Sequence, residues 1–432
     1  MSEKNQKSTT WRKFTLKEVM DEKTGFKRGP FGGALKKEIF VDCGYAVYEQ
    51  QHVINNNFKN IRYFIDAEKY RELISFKIKK DDILVSCSGT VGRIALVPDN
   101  VQEGVINQAL LRLRPNSNII SSNYAWFLLN SSFMQSKMVE MSHGSTLKNI
   151  VAVKELKNIE VFIPSLSEQQ KITSILSAID EAIEITGVIL EKTREVKKGL
   201  MQQLFTKGIG HTKFKKTEVG EIPEGWELKS LENVSEKIFV GIASSTTNSY
   251  SDDLNDVIII RNQNIRENKL DLIDVLRITR EFSEANKNKK VKQGDLVTVR
   301  TGYPGITSVI PKELEGMQTF TTLITRLNQQ IINPHFMAYY INSPIGKRLV
   351  TGGKVGGAQQ NLNVAVMKKF KVVVPSIVEQ NNIVSILSVI DSKIEKEQKK
   401  LSSLQTIKTG LMQSLLTGKV CVKVDEAEVT QV

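Results

Sequence analysis

Two segments of this 432-residue chain carry nearly the same sequence at a fixed offset of 211 residues. Residues 164–208 and 375–419 are identical at 21 of 45 aligned positions, without a gap. Each copy opens with Pro-Ser-x-x-Glu-Gln and contains Gly-Leu-Met-Gln near its end. Unrelated segments would share only a few identities. The chain therefore contains an internal repeat, which implies that one structural unit occurs twice.

Both copies have the sequence pattern of a long helix. Each begins with a proline and Ser-x-x-Glu, namely Ser165 with Glu168 and Ser376 with Glu379. This predicts a capping box, in which the serine and the glutamate each accept one free backbone N–H. An apolar stripe with spacings of three and four follows, interrupted at matching places by Thr186 and Glu397 and by Lys197 and Lys408. We expect two helices of roughly 60 Å that pack on each other as a coiled coil. The alternative is that each helix serves only its own domain.

The remainder of each half also repeats, more loosely. The pattern W-x4-L-x2-V begins at Trp11 and again at Trp226. A short apolar run before each glycine turn, Gly89–Gly92 and Gly302–Gly305, predicts a buried strand. Residues 28–54 and 240–265, in contrast, have no close similarity to each other. The order is globular domain, helix, globular domain, helix, which predicts a pseudo-two-fold molecule with two different surfaces. Such symmetry suits DNA half-sites roughly 34 Å apart.

Composition excludes several classes of function. The net charge of +13 favours a polyanionic partner. No apolar run is long enough for a membrane span, and the N-terminus has no secretory signal. Three distant cysteines indicate a reducing cytoplasm. The chain has no Walker A, GxSxG or HExxH motif. We therefore predict a non-catalytic reader or adaptor without a metal site.

Three segments together resemble the DNA-specificity subunit of bacterial type I restriction-modification systems. They are TEVGEIPEGWEL (217–228), PSLSEQQKITSILSAID (164–180) with its second copy PSIVEQNNIVSILSVID (375–391), and GLMQQLFTKG (199–208) with its twin. The resemblance extends from Trp11 to about Lys419. It implies an α+β fold with two related mixed α/β target-recognition domains. Two long helices, forming an antiparallel coiled coil, separate these domains and set the gap between the half-sites.

The expected domain boundaries follow from the repeat and the resemblance. They are target-recognition domain 1 (1–163), long helix 1 (164–208), a basic linker (209–225), target-recognition domain 2 (226–374), long helix 2 (375–419) and a tail (420–432).

The resemblance also implies a function and a set of partners. The chain would read a bipartite, gapped sequence in double-stranded DNA and dock two methylation subunits and then restriction subunits. It would bind no cofactor itself, whereas its partners would use S-adenosylmethionine, ATP and Mg²⁺. The complex would work in the cytoplasm, on the nucleoid. Two alternatives stay open, a coiled-coil scaffold that binds no DNA and a DNA reader that serves a different effector.

Candidate DNA contacts lie near the non-repeated loops and the glycine turns. Arginine suits guanine, asparagine and glutamine suit adenine, and cations suit phosphates. In the first half the candidates are Tyr48, Gln50, Gln51, Arg62, Arg93 and Lys148. In the second half they are Arg261, Asn262, Gln263, Asn264, Arg266, Arg300 and Tyr303.

Candidate subunit-docking positions lie in the repeated segments, because the family holds two copies of its methylation subunit. They are Glu168, Gln169, Gly199, Leu200, Met201 and Gln202 in the first copy, and Glu379, Gln380, Gly410, Leu411, Met412 and Gln413 in the second.

Overall fold

The computed structural model describes residues 11–31, 33–141, 148–150, 152–246, 248–350 and 362–422, with the backbone alone at 140–141 and 148–150. The chain forms two compact units. Unit 1 contains residues 1–186 and 400–432, and unit 2 contains residues 187–399. Each long helix is therefore divided between the two units. The domain boundaries predicted from the sequence treat each helix as a segment of its own, and they stay a prediction.

Unit 1 begins with short strands and helices and ends in the first half of a long helix. Its elements are β1 (Arg12–Thr15), β2 (Phe26–Arg28), β3 (Tyr45–Tyr48), α1 (Gln50–Ile54), β4 (Phe64–Ile65), α2 (Ala67–Glu72), β5 (Ile83–Ser86), β6 (Ile94–Leu96), β7 (Gly104–Ile106), β8 (Leu110–Leu113), α3 (Ser122–Asn130), α4 (Ser132–Met138), β9 (Val139–Met141), β10 (Lys148–Ile150), α5 (Val153–Lys157), β11 (Glu160–Ile163) and α6 (Leu166–Leu204).

Unit 2 begins in the second half of α6 and continues into the second long helix. Its further elements are β12 (Phe214–Thr217), β13 (Gly220–Pro223), β14 (Glu227–Ser230), β15 (Ser235–Val240), β16 (Tyr250–Ser251), β17 (Val257–Arg261), β18 (Ile265–Arg266), β19 (Lys269–Leu270), β20 (Leu276–Ile278), α7 (Arg280–Ala285), β21 (Leu296–Thr298), β22 (Thr307–Val309), β23 (Gln318–Phe320), β24 (Leu323–Leu327), α8 (Pro334–Asn342), α9 (Pro344–Val350), α10 (Val364–Lys369), β25 (Lys371–Val374) and α11 (Ile377–Leu415).

The sheets of the two units correspond strand for strand at their centres. Unit 1 contains an antiparallel sheet β2-β8-β5-β6, and unit 2 contains β15-β24-β21-β22. A parallel pair of strands occurs in each unit, β3 with β7 and β17 with β23. The pairs β1-β11 and β14-β25 join the strand that follows Trp11 or Trp226 to the strand directly before α6 or α11. The predicted buried strands are confirmed, because every residue of β5 and β21 is buried.

The core of each unit includes the end of the long helix that starts in the other half of the sequence. In unit 1, Leu415 and Leu416 at the end of α11 lie in one core with Ile172 and Leu176 of α6. In unit 2, Phe205 is buried between the rings of Phe336 and Tyr340, with centroid distances of 5.4 Å to each. Each unit is therefore completed by residues that lie far away in the sequence.

The two long helices pack on each other as predicted, and they run antiparallel within each unit. In unit 2, Lys197 Nζ lies 2.5 Å from Asp391 Oδ1, and Arg194 Nη2 donates to Gln398 Oε1 at 3.1 Å. In unit 1, Lys408 Nζ lies 2.5 Å from Asp180 Oδ1. The two lysines that interrupt the predicted apolar stripes are thus neutralised by equivalent aspartates. Such polar seam contacts favour one register of the helices over others.

Candidate nucleic-acid interface and docking helices

The repeated glutamate binds a repeated tryptophan in each unit. In unit 1, Glu168 Oε1 accepts hydrogen bonds from Trp11 Nε1 at 3.2 Å and from the backbone N–H of Val422 at 3.4 Å. Gly418, with φ of 71°, follows the end of α11 and lies against the Trp11 ring. Three segments that are distant in sequence therefore meet at one carboxylate.

Unit 2 has the same arrangement with one additional group. Glu379 accepts from Trp226 Nε1 at 2.9 Å and from the backbone N–H of Ile209 at 3.0 Å. His211 Nε2 lies 2.9 Å from Glu379 Oε1. A Cβ atom on Gly208, which has φ of 63°, would lie 2.6 Å from Glu379 Oε1, so only glycine fits there without a shift.

These contacts correct the part of the predicted capping boxes that concerns the glutamates. The serines do cap the helices, because Ser165 Oγ and Ser376 Oγ each accept from the backbone N–H three residues later at 3.3 Å. The glutamates were expected to accept from the first N–H groups of their own helices. They bind the tryptophans instead, because a buried indole N–H needs an acceptor more than a solvent-accessible cap does.

The glutamine that follows each glutamate is a bridge inside its unit. Gln380 Nε2 donates to the carbonyls of Ile331 and Pro375 at 3.0 and 2.9 Å, and its Oε1 accepts from the Asn333 N–H at 2.8 Å. Gln169 makes the equivalent three bonds in unit 1 to Ile119, Pro164 and Ser121, at 2.9, 3.0 and 2.8 Å. Each amide thus ties the loop before a helix, α3 or α8, to the start of a long helix.

The structure therefore corrects part of the predicted docking set. Gln169 and Gln380 have no exposed surface, and Glu168 is 7% exposed. A buried side chain with all its polar atoms engaged cannot contact a partner without rearrangement of its unit. Glu379 also directs its carboxylate inward, onto Trp226 and Ile209. The repeated Glu-Gln pair positions elements within each unit, which explains its repetition without a docking role.

The other predicted docking residues lie along the helix ends. Gly199 and Gly410 are exposed, and a Cβ atom at either position would meet nothing within 4 Å. Gln202 and Gln413 are exposed as well, whereas Leu200, Leu411 and Met412 are half-buried. Met201 is only 5% exposed and lies in the core of unit 2. Docking through the exposed positions stays a prediction.

Sequence reasoning missed a second set of repeated residues on the long helices, which are apolar and exposed. Two of the counterpart pairs at the 211-residue offset are Ile175 and Ile386, 37% and 38% exposed, and Val196 and Ile407, 55% and 48% exposed. Within each unit, one member of these two pairs lies on each long helix. The signal was present in the sequence as apolar residues adjacent to the coiled-coil stripe in both copies.

In unit 1 the structure corrects one predicted DNA contact. Tyr48 is fully buried in β3 and donates its hydroxyl to the carbonyl of Gln102 at 2.7 Å. Burial raises the pKa of Tyr48. Its ring packs against His52 and Phe58. Tyr48 is therefore a core residue, because β3 is buried on both of its faces from Ala46 to Tyr48.

The other candidates of unit 1 have different environments. Gln50 is half-buried and lies against Gly89 in the glycine turn. Gln51, Arg62 and Arg93 are exposed. Arg62 stacks over the ring of Tyr63, with 4.8 Å from guanidinium carbon to centroid. Lys148 belongs to β10, and its side chain lies outside the described part of the chain.

In unit 2, Asn264 is a structural residue and not a free contact. It is 3% exposed. Its Oδ1 accepts from the Arg261 N–H at 3.0 Å, and its Nδ2 donates to the carbonyl of Asp271 at 3.0 Å. Asn264 therefore closes the turn after β17. This prediction was wrong because an asparagine that closes a turn has the same sequence signature as an asparagine that reads a base.

Three candidates of unit 2 meet at the end of β17. Asn262 Nδ2 donates to Thr301 Oγ1 at 3.0 Å, and its Oδ1 accepts from the Arg300 N–H at 3.4 Å. Arg261 Nη2 donates to the carbonyl of Asp274 at 3.2 Å. The Nε atoms of Arg261 and Arg300 are shielded from solvent, and neither has a hydrogen-bond partner in the described ranges. The Asn262 amide thus holds the backbone of the glycine turn at Arg300, and Arg261 precedes Asn262 in the chain.

The remaining candidates of unit 2 lie on its surface. Tyr303 is 80% exposed in the glycine turn. Gln263 is exposed, and its carbonyl accepts from Arg266 Nη1 at 2.7 Å. Arg266 is paired with Asp271 at 3.3 Å. Since Arg266 is already engaged by a carboxylate, it would bind a phosphate only by leaving that partner.

The two units place an amide side chain at the same point. Gln50 follows β3 and Asn262 follows β17, the first strands of the two parallel pairs, and each side chain lies against the turn after β5 or β21. The residues around them differ. Unit 1 has Ser88, Gly89 and Thr90 in the turn, whereas unit 2 has Thr301, Gly302 and Tyr303. The same backbone arrangement therefore carries chemically different side chains in the two units.

The residues that the structure describes contain no group of three or more His, Cys, Asp or Glu side chains placed to hold a metal ion. None of their helices combines the length and the apolar character that a bilayer crossing requires.

The sequence and fold were compared with those of known proteins. The family model described as the type I restriction modification DNA specificity domain matches twice, at residues 8–193 and 223–406. The chain is 27% identical over 373 residues to the putative type I restriction enzyme MjaX specificity subunit of Methanocaldococcus jannaschii, with 83% of both chains covered. It is 28% identical over 356 residues to the MjaVIII specificity subunit of the same organism, with 80% of both chains covered.

Two solved structures share the fold. A chain from a study of complex assembly and conformational transition in a type I restriction-modification system aligns with a TM-score of 0.60 at 14% identity, covering 96% of this chain and all of that chain. The S subunit of a type I system from M. genitalium aligns with a TM-score of 0.54 at 18% identity, covering 96% of this chain and 98% of that chain. The two matches of the family model together span most of this chain. The chain therefore belongs to the family of type I restriction-modification DNA specificity subunits.

Proposed function

We propose that this chain reads a bipartite DNA target, one half-site with each unit, and holds two methylation subunits on its paired helices. One observation carries the proposal. The two units repeat the same four-stranded antiparallel sheet and each places an amide side chain, Gln50 or Asn262, after the first strand of a parallel pair, yet the turn beside that amide differs. A repeated scaffold with two different edges suits a target with two different half-sites.

The reading chemistry is supported by the side chains at these edges. Glutamine and asparagine match the adenine edge in the major groove, and arginine matches guanine. Unit 1 offers Gln50, with Arg93 directly after the glycine turn against which Gln50 lies. Unit 2 offers Asn262, with Arg261 before it in the chain and Arg300 at the start of the turn that Asn262 holds. The net charge of +13 adds the non-specific attraction to phosphates that any such reader needs.

The docking surface is supported by the repeated exposed residues of the long helices. Ile175 and Ile407 lie on the helices of unit 1, and Ile386 and Val196 lie at the equivalent positions of unit 2. An apolar surface that occurs twice fits a partner that is present in two copies. Gly199 and Gly410 leave open space on the same helices, in which a partner helix could approach closely.

The chemistry of the complex is assigned to the partners. We infer that the methylation subunits use S-adenosylmethionine and that restriction subunits, where the cell has them, use ATP and Mg²⁺. The chain itself would contribute recognition and assembly, in the cytoplasm on chromosomal DNA. The names of its relatives as specificity subunits support this division of labour.

The first experiment is single-molecule sequencing of host DNA, with the gene for this chain present or deleted. We expect methyladenine in a motif of two different short sequences with a fixed gap, and we expect this methylation to vanish on deletion. Methylation that is unchanged by the deletion contradicts the proposal. The experiment also identifies the target, which the following tests require.

Two arginine substitutions test the assignment of half-sites. Arg300→Ala should cost about 1–3 kcal/mol of binding free energy at the half-site of unit 2 and leave selectivity at the other half-site unchanged. Arg93→Ala, directly after the turn of unit 1, is the reciprocal variant, with the opposite expected pattern. Competition binding with duplexes mutated in one half-site measures both. Equal losses at both half-sites for either variant would refute the assignment.

Stoichiometry tests the docking surface. The unaltered chain should retain two methylation subunits in native mass spectrometry, and Ile175→Glu or Ile386→Glu should retain one. The double variant should retain none. Val188→Glu is the control, because Val188 is 51% exposed but its counterpart is Lys399, so it is not part of the repeated surface. Two bound subunits in the double variant would exclude this surface.

A further inference from the structure

The turn between β21 and β22 carries an exposed aromatic ring, and backbone hydrogen bonds close this turn. The Gly305 N–H donates to the Val299 carbonyl at 2.9 Å, and the Val299 N–H donates to the Ile306 carbonyl at 2.8 Å. Gly302 and Gly305 have φ of 84° and 97°, which side chains with a Cβ rarely adopt. Between these glycines Tyr303 is 80% exposed. Among the described residues it makes no hydrogen bond or ring contact that would explain an aromatic side chain there.

The start of this turn is bonded to the end of β17 and contains an arginine. Asn262 holds it from the end of β17, through Thr301 Oγ1 at 3.0 Å and the Arg300 N–H at 3.4 Å. Arg300 is half-buried at the base, and its Nε lacks a hydrogen-bond partner within the part of the chain that the structure describes. An exposed ring on a rigid turn, with a guanidinium at its base, has the composition of a site that stacks on bases beside a phosphate or a guanine.

A second exposed apolar residue of unit 2 differs in its electrostatic surroundings. Ile273 is 89% exposed in the loop that Arg261 reaches through the Asp274 carbonyl. Its sequence neighbours include the carboxylates of Asp271 and Asp274. Phosphates repel carboxylates, so this loop is the poorer of the two for close approach to DNA. Tyr303 has no acidic residue within its turn.

The equivalent turn of unit 1 has the same backbone without a ring. The Gly92 N–H donates to the Ser86 carbonyl at 2.9 Å, and Gly89 and Gly92 have φ of 62° and 82°. Thr90 stands at the position of Tyr303. The ring is therefore an addition to a shared hairpin, and folding of the hairpin does not require it.

We propose that Tyr303 is a wedge that stacks within the half-site of unit 2 and opens one base step there. Apolar and aromatic side chains that enter DNA in this way unstack a step and kink the duplex. The proposal rests on the proposed function, since it assumes that unit 2 binds a DNA half-site. Unit 2 would then recognise its half-site in two ways, by contacts to base edges and by the ease with which one base step deforms. Unit 1, without a ring at this position, would lack the second way.

The test uses the full-length chain and the target duplex identified by methylation sequencing. 2-Aminopurine replaces one adenine at a time in both half-sites, because its fluorescence rises when it is unstacked. With the unaltered chain, we expect a rise at a position in the half-site of unit 2. Tyr303→Phe should retain the fluorescence rise and the affinity. Tyr303→Ala should abolish the rise and weaken binding about 5- to 150-fold, the range for loss of one stacked base.

Thr90→Ala is the matched control in unit 1 and should change neither quantity. Three results would overturn the proposal. They are a full fluorescence rise with Tyr303→Ala, an affinity loss below about two-fold for that variant, and an equal loss with Tyr303→Phe, which would indicate a hydrogen bond from the hydroxyl. Absence of sequence-specific binding by the unaltered chain is a separate outcome, because it refutes the proposed function as a whole. Retained binding to the half-site of unit 1 shows that each variant is folded.

Discussion

The buried glutamine bridges provide a sharp test of how each unit is held together. Gln380 satisfies two carbonyls and one N–H, at 3.0, 2.9 and 2.8 Å, and it has no exposed surface. Gln380→Met keeps the length of the side chain but removes every polar atom at its end. Three backbone groups, one in a buried contact and two in partly buried contacts, then lose their partner. A buried polar group without a partner costs about 1–3 kcal/mol, so we expect unit 2 to lose about 3 kcal/mol.

Native-state hydrogen exchange measures this loss in each unit separately. A loss of about 3 kcal/mol corresponds to an increase of roughly 100-fold in the opening equilibrium, at 1.4 kcal/mol for each factor of ten. We expect this acceleration in peptides that cover β24 and α8 of unit 2. Peptides that cover β8 and α3 of unit 1 should exchange as before. Gln169→Met should produce the reverse pattern, because Gln169 makes the equivalent bonds in unit 1.

The control is Gln170→Met, since Gln170 is exposed beside Gln169. Substitutions on the surface are usually within about 0.5 kcal/mol of neutral. An acceleration below ten-fold in the Gln380→Met variant would refute the reasoning. It would mean that water replaces the amide and that the three backbone groups are not isolated from solvent.

Three further predictions concern single residues. Asp391→Ala removes the partner of Lys197 and the acceptor of the Tyr339 hydroxyl, so it should destabilise unit 2 by about 1 kcal/mol, discounted for a pair that is partly exposed, and exchanging Asp391 and Lys197 should recover only the ion-pair part of that loss in urea unfolding. Gly208→Ala should lower the free energy of unfolding by roughly 3 kcal/mol. The left-handed backbone contributes about 1–2 kcal/mol, and overpacking contributes about 1–3 kcal/mol, because the added Cβ would lie 2.6 Å from Glu379 Oε1. Gly210→Ala is its control, because φ is 74° but no atom lies within 4 Å of the added Cβ, so thermal unfolding should show only the backbone cost. Finally, burial raises the pKa of the Cys87 thiol to about 11, so at pH 8 an alkylating reagent should label the exposed Cys43 and Cys421 and leave Cys87 unlabelled in mass spectrometry.

Local signals were sufficient for the long helices and for the strands before the glycine turns. A proline, a capping serine and an apolar stripe act within a few residues of one another, so they predict α6 and α11 without any knowledge of the fold. The same holds for β5 and β21, where a short apolar run precedes a glycine turn. The amino-acid types at the candidate interface were also visible, and Asn262, Arg300 and Tyr303 lie at or beside the turn as expected.

The functions of single side chains were harder to predict, because exposure depends on neighbours that are distant in sequence. Tyr48 and Asn264 have residue types that suit DNA contacts, yet one lies in a core and the other closes a turn. The repeated Glu-Gln pair suggested a docking surface, because a repeat alone does not reveal whether it serves a partner or the fold. The exposed isoleucines were overlooked since they lie beside a stronger apolar stripe.

The sequence by itself determined that the chain has two related halves, each with a long helix, and that it resembles a DNA-specificity subunit. Only the tertiary structure decided that each half is completed by the end of the other half's helix. The contact between the Val422 N–H, after the end of α11, and Glu168 spans 254 positions, and the contact between the Ile209 N–H, after the end of α6, and Glu379 spans 170. Such pairings follow from the need of buried indole N–H and amide groups for partners, and the distance along the chain does not limit which partners they find.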